Sequence, residues 1–501
     1  MNSPVYDIFV IGGGINGCGI ARDAAGRGLS VYLCEQHDLA HGTSSTSTKL
    51  IHGGLRYLEY YEFRLVRESL TEREVLLKNS PHIIWPLRFI LPHHKGLRPS
   101  WLIRLGLFLY DHIGGRKILP ATSTVNLTKD ETGIPLKGDY HKGFEYSDCW
   151  VDDSRLVVLN AMDAAERGAV VETRSRCIHA NRENDLWNIT LENNETKEQH
   201  KIQAKCLINA SGPWMDTTLA GIEYKHGTEH IRMVKGSHII VDKLFDHSKA
   251  YIFQNSDGRI IFAIPYENNR YTLIGTTDVD FQGDPDLVEI SAEETEYLCS
   301  AANEYFTKNI SPQEVVSSYS GIRPLFDDGT SDAKAITRDY VLKLDEENGR
   351  TPLLSIYGGK ITTYRKLAES VLEKLEEYFP QMGAPWTAGA SLPGGDFPHS
   401  GFEDEVNSLR ACCPVLDAEH ARRLVRHYGT RAKTMVAGIT SREEMGECFG
   451  SNLYPFEVQY LMEHEWAKSA DDVLWRRTRL GLEFSDEQKA KLENWMKEFK
   501  R

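Results

Sequence analysis

At 501 residues the chain exceeds what one hydrophobic core organises, which predicts two or three domains with interior enough to bury a large cofactor. Its 41% hydrophobic and 26% charged residues are ordinary for a globular protein, and a net charge of −14 argues against nucleic acid as a partner. Nine cysteines without a C-x-x-C pair suggest neither a zinc ribbon nor a disulfide framework, so a reduced cytoplasmic setting is expected and no metal is assigned.

The chain enters an apolar run within a few residues, with no basic leader and no apolar stretch of about 20 residues, so neither export nor a bilayer span is expected. That first run, Asp7-Ile8-Phe9-Val10-Ile11, passes into Gly12-Gly13-Gly14-Ile15-Asn16-Gly17, an Ala-rich helical stretch, and a second apolar run ending in Glu35. This order predicts a nucleotide-binding βαβ unit. Gly12 permits the tight turn, Gly14 has no Cβ to block a pyrophosphate, and Gly17 lets helix pack closely on strand. The phosphates would meet unpaired N–H groups at the positive end of the helix, and Glu35 would accept from ribose hydroxyls, disfavouring a 2′-phosphate. FAD and NAD are both compatible with such a unit.

Next comes Thr43-Ser44-Ser45-Thr46-Ser47-Thr48-Lys49, followed by Leu50-Ile51-His52-Gly53-Gly54-Leu55-Arg56-Tyr57. Short hydroxyl side chains and a cation suit pyrophosphate and ribityl groups, while a solvated Ser/Thr loop would read the same way by composition. Residues 88–117 then combine Arg88, Lys95, Arg98, Arg104, Arg116 and Lys117 with the apolar run 101–110 against a single acid, Asp111. Such a segment is too short to span a bilayer; it suits the membrane interface or packing on a core or second subunit.

Further along, Cys206-Leu207-Ile208-Asn209-Ala210-Ser211-Gly212-Pro213-Trp214 reads as a strand ending in small residues. Strand-like runs at 236–241, 259–265 and 271–275 suggest a mainly antiparallel sheet inserted between pieces of the nucleotide domain. Asp278-Val279-Asp280-Phe281-Gln282-Gly283 nearly spells a calcium loop, but Gln282 and Pro285 break the pattern and the preceding residues read as strand, so calcium is declined. Residues 353–365 form a buried-type strand, a Gly358-Gly359-Lys360 turn and a helix whose N-terminus could stabilise charge on a flavin ring; taken singly the segment reads as structural. The Gly/Pro-rich stretch 385–401 separates this body from a tail in which 418–428 and 456–482 have the apolar spacing of amphipathic helices.

Taken together these segments resemble the FAD-dependent glycerol-3-phosphate dehydrogenase family over nearly the full length. The stretches 49–59, 146–156, Lys235-Gly236-Ser237-His238, Gly275-Thr276-Thr277-Asp278, 320–325, 335–340, the Gly-Gly-Lys turn and, in the tail, Glu465-Trp466 with 470–478 carry the likeness, which is strongest to the bacterial aerobic type. The resemblance implies an α/β fold with an α+β insert: a Rossmann-like FAD-binding domain, a mainly antiparallel substrate or cap domain and an all-helical C-terminal domain. The expected division is a discontinuous body over 1–384 (about 1–80, 145–230 and 331–384) with insertions at about 81–144 and 231–330, a linker at 385–401 and a helical domain at 402–501.

The implied reaction is oxidation of sn-glycerol 3-phosphate to dihydroxyacetone phosphate, with electrons passing through FAD to a membrane quinone. A homodimer held peripherally on the cytoplasmic face of the inner membrane is the expected setting. FAD is expected against Gly12, Gly14, Gly17, Glu35, Thr43, Ser44, Ser45, Ser47, Lys49, Leu50, Ala210, Gly212, Gly359, Lys360, Ile361 and Thr362. Arg56, Tyr57, Thr276 and Arg338 are expected at the substrate, with His238, Arg323 and Lys360 as the catalytic candidates. Hydride loss from C2 is eased as its hydroxyl loses a proton, which calls for a base, assigned to His238, beside cations that stabilise the alkoxide. Arginine stays protonated, so Arg323 is assigned to phosphate or alkoxide, not to proton abstraction. A glycerol-3-phosphate oxidase using oxygen, a related FAD-dependent amine oxidase, an NAD-linked dehydrogenase and a non-enzymatic flavoprotein are the competing readings.

Overall fold

A computed structural model describes residues 4–224, 230–255, 257–327, 339–347 and 349–499. Two sheets organise the body. The first has the strands Val341–Glu347, Arg350–Tyr357, Gln199–Asn209, Val5–Ile11, Val31–Glu35 and Val170–Thr173 in that spatial order, with Ser175–Glu183 and Leu186–Asn193 added beside Gln199–Asn209. Its four central pairings are parallel, which fits strands that are apolar along their length and covered on both faces. Helices Ile15–Gly26, Asp153–Glu166 and Tyr364–Lys374 cover one face around Val10, Ile20, Leu33, Leu156 and Leu367. The antiparallel ribbon covers the other, where buried Trp187 donates its indole N–H to the Thr351 and Pro352 carbonyls.

The second sheet has ten strands. Ile231–Asp242 is its long spine, flanked by Tyr271–Gly275 and Val315–Phe326 in antiparallel register, and among the described residues only the contact of Ile84–His93 with Ala250–Gln254 is parallel. The sequence-based division differs here. Strand Lys142–Val151 pairs over its whole length with Ile84–His93, so position 145 falls inside a strand of the second sheet and not at a return to the first. Helices Phe63–Asn79 and Ser100–Ile113 close one side of this sheet around Phe89, Tyr110 and Tyr146.

Residues 385–401 are fastened to the body. The Asn79 side chain donates to the Thr387 and Ala388 carbonyls, and Trp386 packs under the guanidinium groups of Arg22 and Arg167. Beyond them the helices Phe402–Cys412, Ala418–Tyr428, Pro455–His464 and Asp486–Phe499 enclose a separate core that includes Leu409, Leu424, Leu461 and Leu492. The helix expected to run on through 482 ends at His464. A π-helical turn, Asp472–Arg477, follows, because its Arg476 and Arg477 turn inward to the Asp38 carboxylate of the body and its Asp472 accepts from Arg174 of the body, instead of continuing an exposed polar face.

Candidate functional site

The glycine turn does what its sequence requires. Gly12 sits at φ +113°, a backbone that favours glycine, and a Cβ at Gly17 would overlap the Gly12 carbonyl. At the helix start, the Gly13 N–H donates to Glu35 at 2.6 Å and the Ile15 N–H to Ser44 Oγ at 3.0 Å. Burial raises the Glu35 carboxyl to about 7, against the opposing pull of the His37 and Gly13 N–H groups. Gly17 itself faces the strand, not the cleft.

A cavity of about 680 Å³ opens between the two sheets above this turn. Gly12, Gly14, Glu35, Thr43, Ser44, Ser47, Leu50, Ala210, Gly212, Gly359, Lys360, Ile361 and Thr362 all line it, as do Tyr57, His238, Thr276 and Arg323. Among the described residues, four expected members do not: Gly17, as above, and Lys49, Ser45 and Arg56. Lys49 is buried and turned away, donating to Asp153 Oδ1 at 3.0 Å and to the Ser45 carbonyl at 2.9 Å. Ser45 closes its own turn by donating to the Gly42 carbonyl, and Arg56 reaches back to the Tyr60 hydroxyl. Arg338 lies outside the described residues.

His238 is almost fully buried. Its Nε2 is 3.0 Å from Thr48 Oγ1 and its ring stacks on Tyr319 at 4.7 Å, while Nδ1 has no hydrogen-bond partner. Burial, then the charges of Arg323 and Lys49, hold the imidazole well below its ordinary value and therefore neutral. Its cross-strand partner is Gly275, where any Cβ would strike the imidazole ring. Arg323 donates to Asp278, and to Thr276 Oγ1 at 2.9 Å. The Lys360 ammonium lies 3.8 Å over the Tyr57 ring. Behind this wall the Asp148 carboxylate takes donors from Arg73 at 2.7 Å, Tyr110 at 2.7 Å and the Gly53 N–H at 3.3 Å, which fixes the backbone between His52 and Tyr57.

The near-calcium motif is used differently: Asp278 pairs with Arg323 and Asp280 with Arg232. One set of side chains able to ligate a cation comes together among the described residues, His37, His41 and Asp286, and the charge of Arg476 beside His41 opposes a cation there.

The cleft fits a flavin dinucleotide on three counts. Glycine backbone and hydroxyls stand where phosphates need close approach, Glu35 stands at the end of the second strand, and four described lining residues present buried polar atoms with no partner: Asn16 Oδ1, Ser175 Oγ, Trp214 Nε1 and His238 Nδ1. Sequence reasoning missed several contributors. Thr48 lies in the hydroxyl run 43–49 but its place beside His238 has no local signal, and Arg176 and Cys177, on the strand Ser175–Glu183, have none because nothing local marks that strand edge as a cleft wall.

Residues 7–365 match the family described as FAD dependent oxidoreductase, and residues 385–501 match the C-terminal domain of alpha-glycerophosphate oxidase. A glycerol-3-phosphate dehydrogenase of Pseudomonas aeruginosa is 53% identical, covering 99% of this chain and 95% of that one. A D-erythritol 1-phosphate dehydrogenase of Brucella abortus is 51% identical, covering 98% and 97%. The crystal structure of a Bacillus halodurans glycerol-3-phosphate dehydrogenase complexed with FAD superposes with a TM-score of 0.76 at 27% identity, over 98% of this chain and 94% of that one. With this fold, this cleft and relatives of such identity across the full chain, the protein belongs to the FAD-dependent glycerol-3-phosphate dehydrogenase family.

Proposed function

We propose that this protein oxidises sn-glycerol 3-phosphate to dihydroxyacetone phosphate with FAD, and that a membrane quinone reoxidises the cofactor. The observation that carries the reading is the meeting of one neutral imidazole, His238, with two cations, Arg323 and Lys360, in the cleft that also holds the glycine turn and Glu35. A phosphate dianion taken from water needs such cations, and the arginine fork matches its oxygens. The unpartnered Nδ1 of His238 is the acceptor for the C2 hydroxyl proton, and the Arg323 charge stabilises the oxygen that loses it. Thr48, bonded to Nε2, orients the ring. When bound, FAD supplies the oxidising ring for C2, and the residues that would hold it are those of the glycine turn, Glu35, Ser44 and Ser47.

Anaerobic sn-glycerol 3-phosphate should bleach the yellow protein without nicotinamide, whereas glycine and other amino acids should leave the colour unchanged. Bleaching by an amino acid would replace the phosphate reading with an amine oxidase. The Brucella relative favours a second substrate, a four-carbon polyol phosphate, and kcat/KM ratios for the two compounds rank them. Oxygen uptake comparable to quinone reduction would make the enzyme an oxidase.

The membrane half of the proposal rests on the helix Ser100–Ile113. Leu107 and Tyr110 face the core, while Trp101, Leu105 and Phe108 form an outward stripe at 69%, 48% and 53% exposure. Tyr60, Tyr61 and Phe63, also exposed, lie on the adjoining turn and helix start. An apolar stripe this open suits burial in a lipid interface, with Arg98 and Arg104 near the headgroups. No helix among the described residues is long and apolar enough to cross a membrane. Peripheral attachment on the cytoplasmic face, as a homodimer, is proposed from the family resemblance together with this stripe. Trp101→Glu combined with Phe108→Glu should move the protein out of the membrane fraction while activity with an artificial dye persists. Undiminished membrane retention would reject this surface.

A further inference from the structure

Two loops that border the cofactor cleft are fastened by buried carboxylates, Asp38 and Asp153, and much of the counter-charge of these carboxylates comes from the C-terminal domain. Asp38 follows Glu35 by three residues and is fully buried. It accepts from Arg476 Nε at 2.6 Å and from both terminal nitrogens of Arg477 at 2.9 Å. Asp153, at the start of a body helix, is also fully buried and accepts from Arg479. The same carboxylate accepts from Ser47 Oγ at 2.6 Å, the Ser47 N–H at 3.3 Å and Lys49 Nζ at 3.0 Å.

Arg479 is therefore one link away from Ser47, a residue on the cleft wall. Its own backbone is held in the left-handed region at φ +57°, uncommon for a side chain that long. It is fixed further by Asp152, which accepts at 2.7 Å. The charged and titratable groups around this junction include Lys49, Asp152, Asp153, Arg155, Tyr266, Glu267, His427 and Glu483. Lys49 and Arg479 together balance Asp152 and Asp153. Without Arg479, Lys49 would be the one cation bonded directly to this buried carboxylate pair, with Arg155 acting on Asp152 from farther off, a state that relaxes by admitting water or rotating the loop.

We propose that the C-terminal domain acts as a positioning element for the cofactor site: Arg479, through the Asp153 carboxylate, fixes Ser47 and Lys49 and so the cleft wall 43–50, while Arg476 and Arg477 fix the neighbouring loop through Asp38. Arg479 touches neither cofactor nor substrate in this scheme. The inference rests on the cleft being the FAD site, and the test separates the two.

In the full-length protein, Arg479→Met, Arg479→Gln and Arg479→Lys are compared with wild type by fluorescence titration of the apoprotein with FAD, by visible circular dichroism of the bound flavin, and by the thermal midpoint of the apoprotein. Arg479→Met should raise the FAD dissociation constant by about tenfold or more, the size of one lost charge-assisted hydrogen bond, and should alter the flavin dichroism. Arg479→Lys, which keeps the charge, should restore most of the affinity. If the Met variant does not accumulate, the Gln variant, which keeps donors without charge, decides the same question. Variants that bind FAD as tightly as wild type would overturn the proposal. So would Met and Lys variants that lose affinity and thermal midpoint in parallel, since that pattern marks a purely structural role. A wild-type protein that takes up no FAD would instead overturn the reading of the cleft.

Discussion

The cleft wall that faces the nucleotide and the wall that carries His238 are built by opposite means. The first is backbone: a glycine turn, a helix start and one strand end, all within residues 11–35. The second is side chains delivered from distant segments, with Thr48, His238, Thr276, Arg323 and Lys360 drawn from five places in the chain and two sheets. A backbone wall tolerates no Cβ in the wrong place, whereas a side-chain wall tolerates exchange as long as charge and protonation are kept.

The largest expected effect breaks the backbone wall. Gly17→Val forces a branched side chain against the Gly12 carbonyl, and the purified protein should carry no flavin absorbance. Retained yellow colour would show that the turn can shift. On the other wall, His238→Asn should keep the flavin and lower kcat by about 10²- to 10⁴-fold, the usual worth of a general base, as measured by stopped-flow bleaching. A milder loss would assign the proton elsewhere.

The pH profile sharpens the contrast. His238 is held neutral by burial first and Arg323 second, so it takes up its proton only as pH falls well below the ordinary value of about 6.5. The acidic limb of wild-type kcat/KM should therefore lie well below that pH. Arg323→Gln removes one of the charges that hold the value down, and the limb should move upward toward about 6.5 as overall activity drops. A limb that stays in place would mean that His238 is not the titrating base. The smallest effect is expected from Glu35→Gln, which keeps an acceptor but no charge. FAD affinity should fall about tenfold or less, read by fluorescence titration, with turnover of the loaded enzyme unchanged.

The same contrast explains what could be read without coordinates. The nucleotide unit was legible because each of its glycines answers a local steric demand, and the sheet and helix order followed from apolar runs and turn signals. Lys49 and Ser45 were misplaced for the opposite reason. Their composition suited a phosphate, but the direction of Lys49 is decided by Asp153, 104 residues away, which offers a buried carboxylate. The tail helix expected through 482 likewise broke at His464, because Arg476, Arg477 and Arg479 find buried acids on the body. Spacing along a chain carries no information about such partners.

By itself the sequence determined the family, the cofactor class and the first wall of the cleft, since these depend on steric rules that act over a few residues. Tertiary structure alone decided which cations face the cleft, how the imidazole of His238 is kept neutral, and that the C-terminal domain reaches the cofactor loops through Asp38 and Asp153. The physical reason is that a buried charge is placed by whichever opposite charge the fold brings beside it, and that neighbour is set by packing, not by position in the chain.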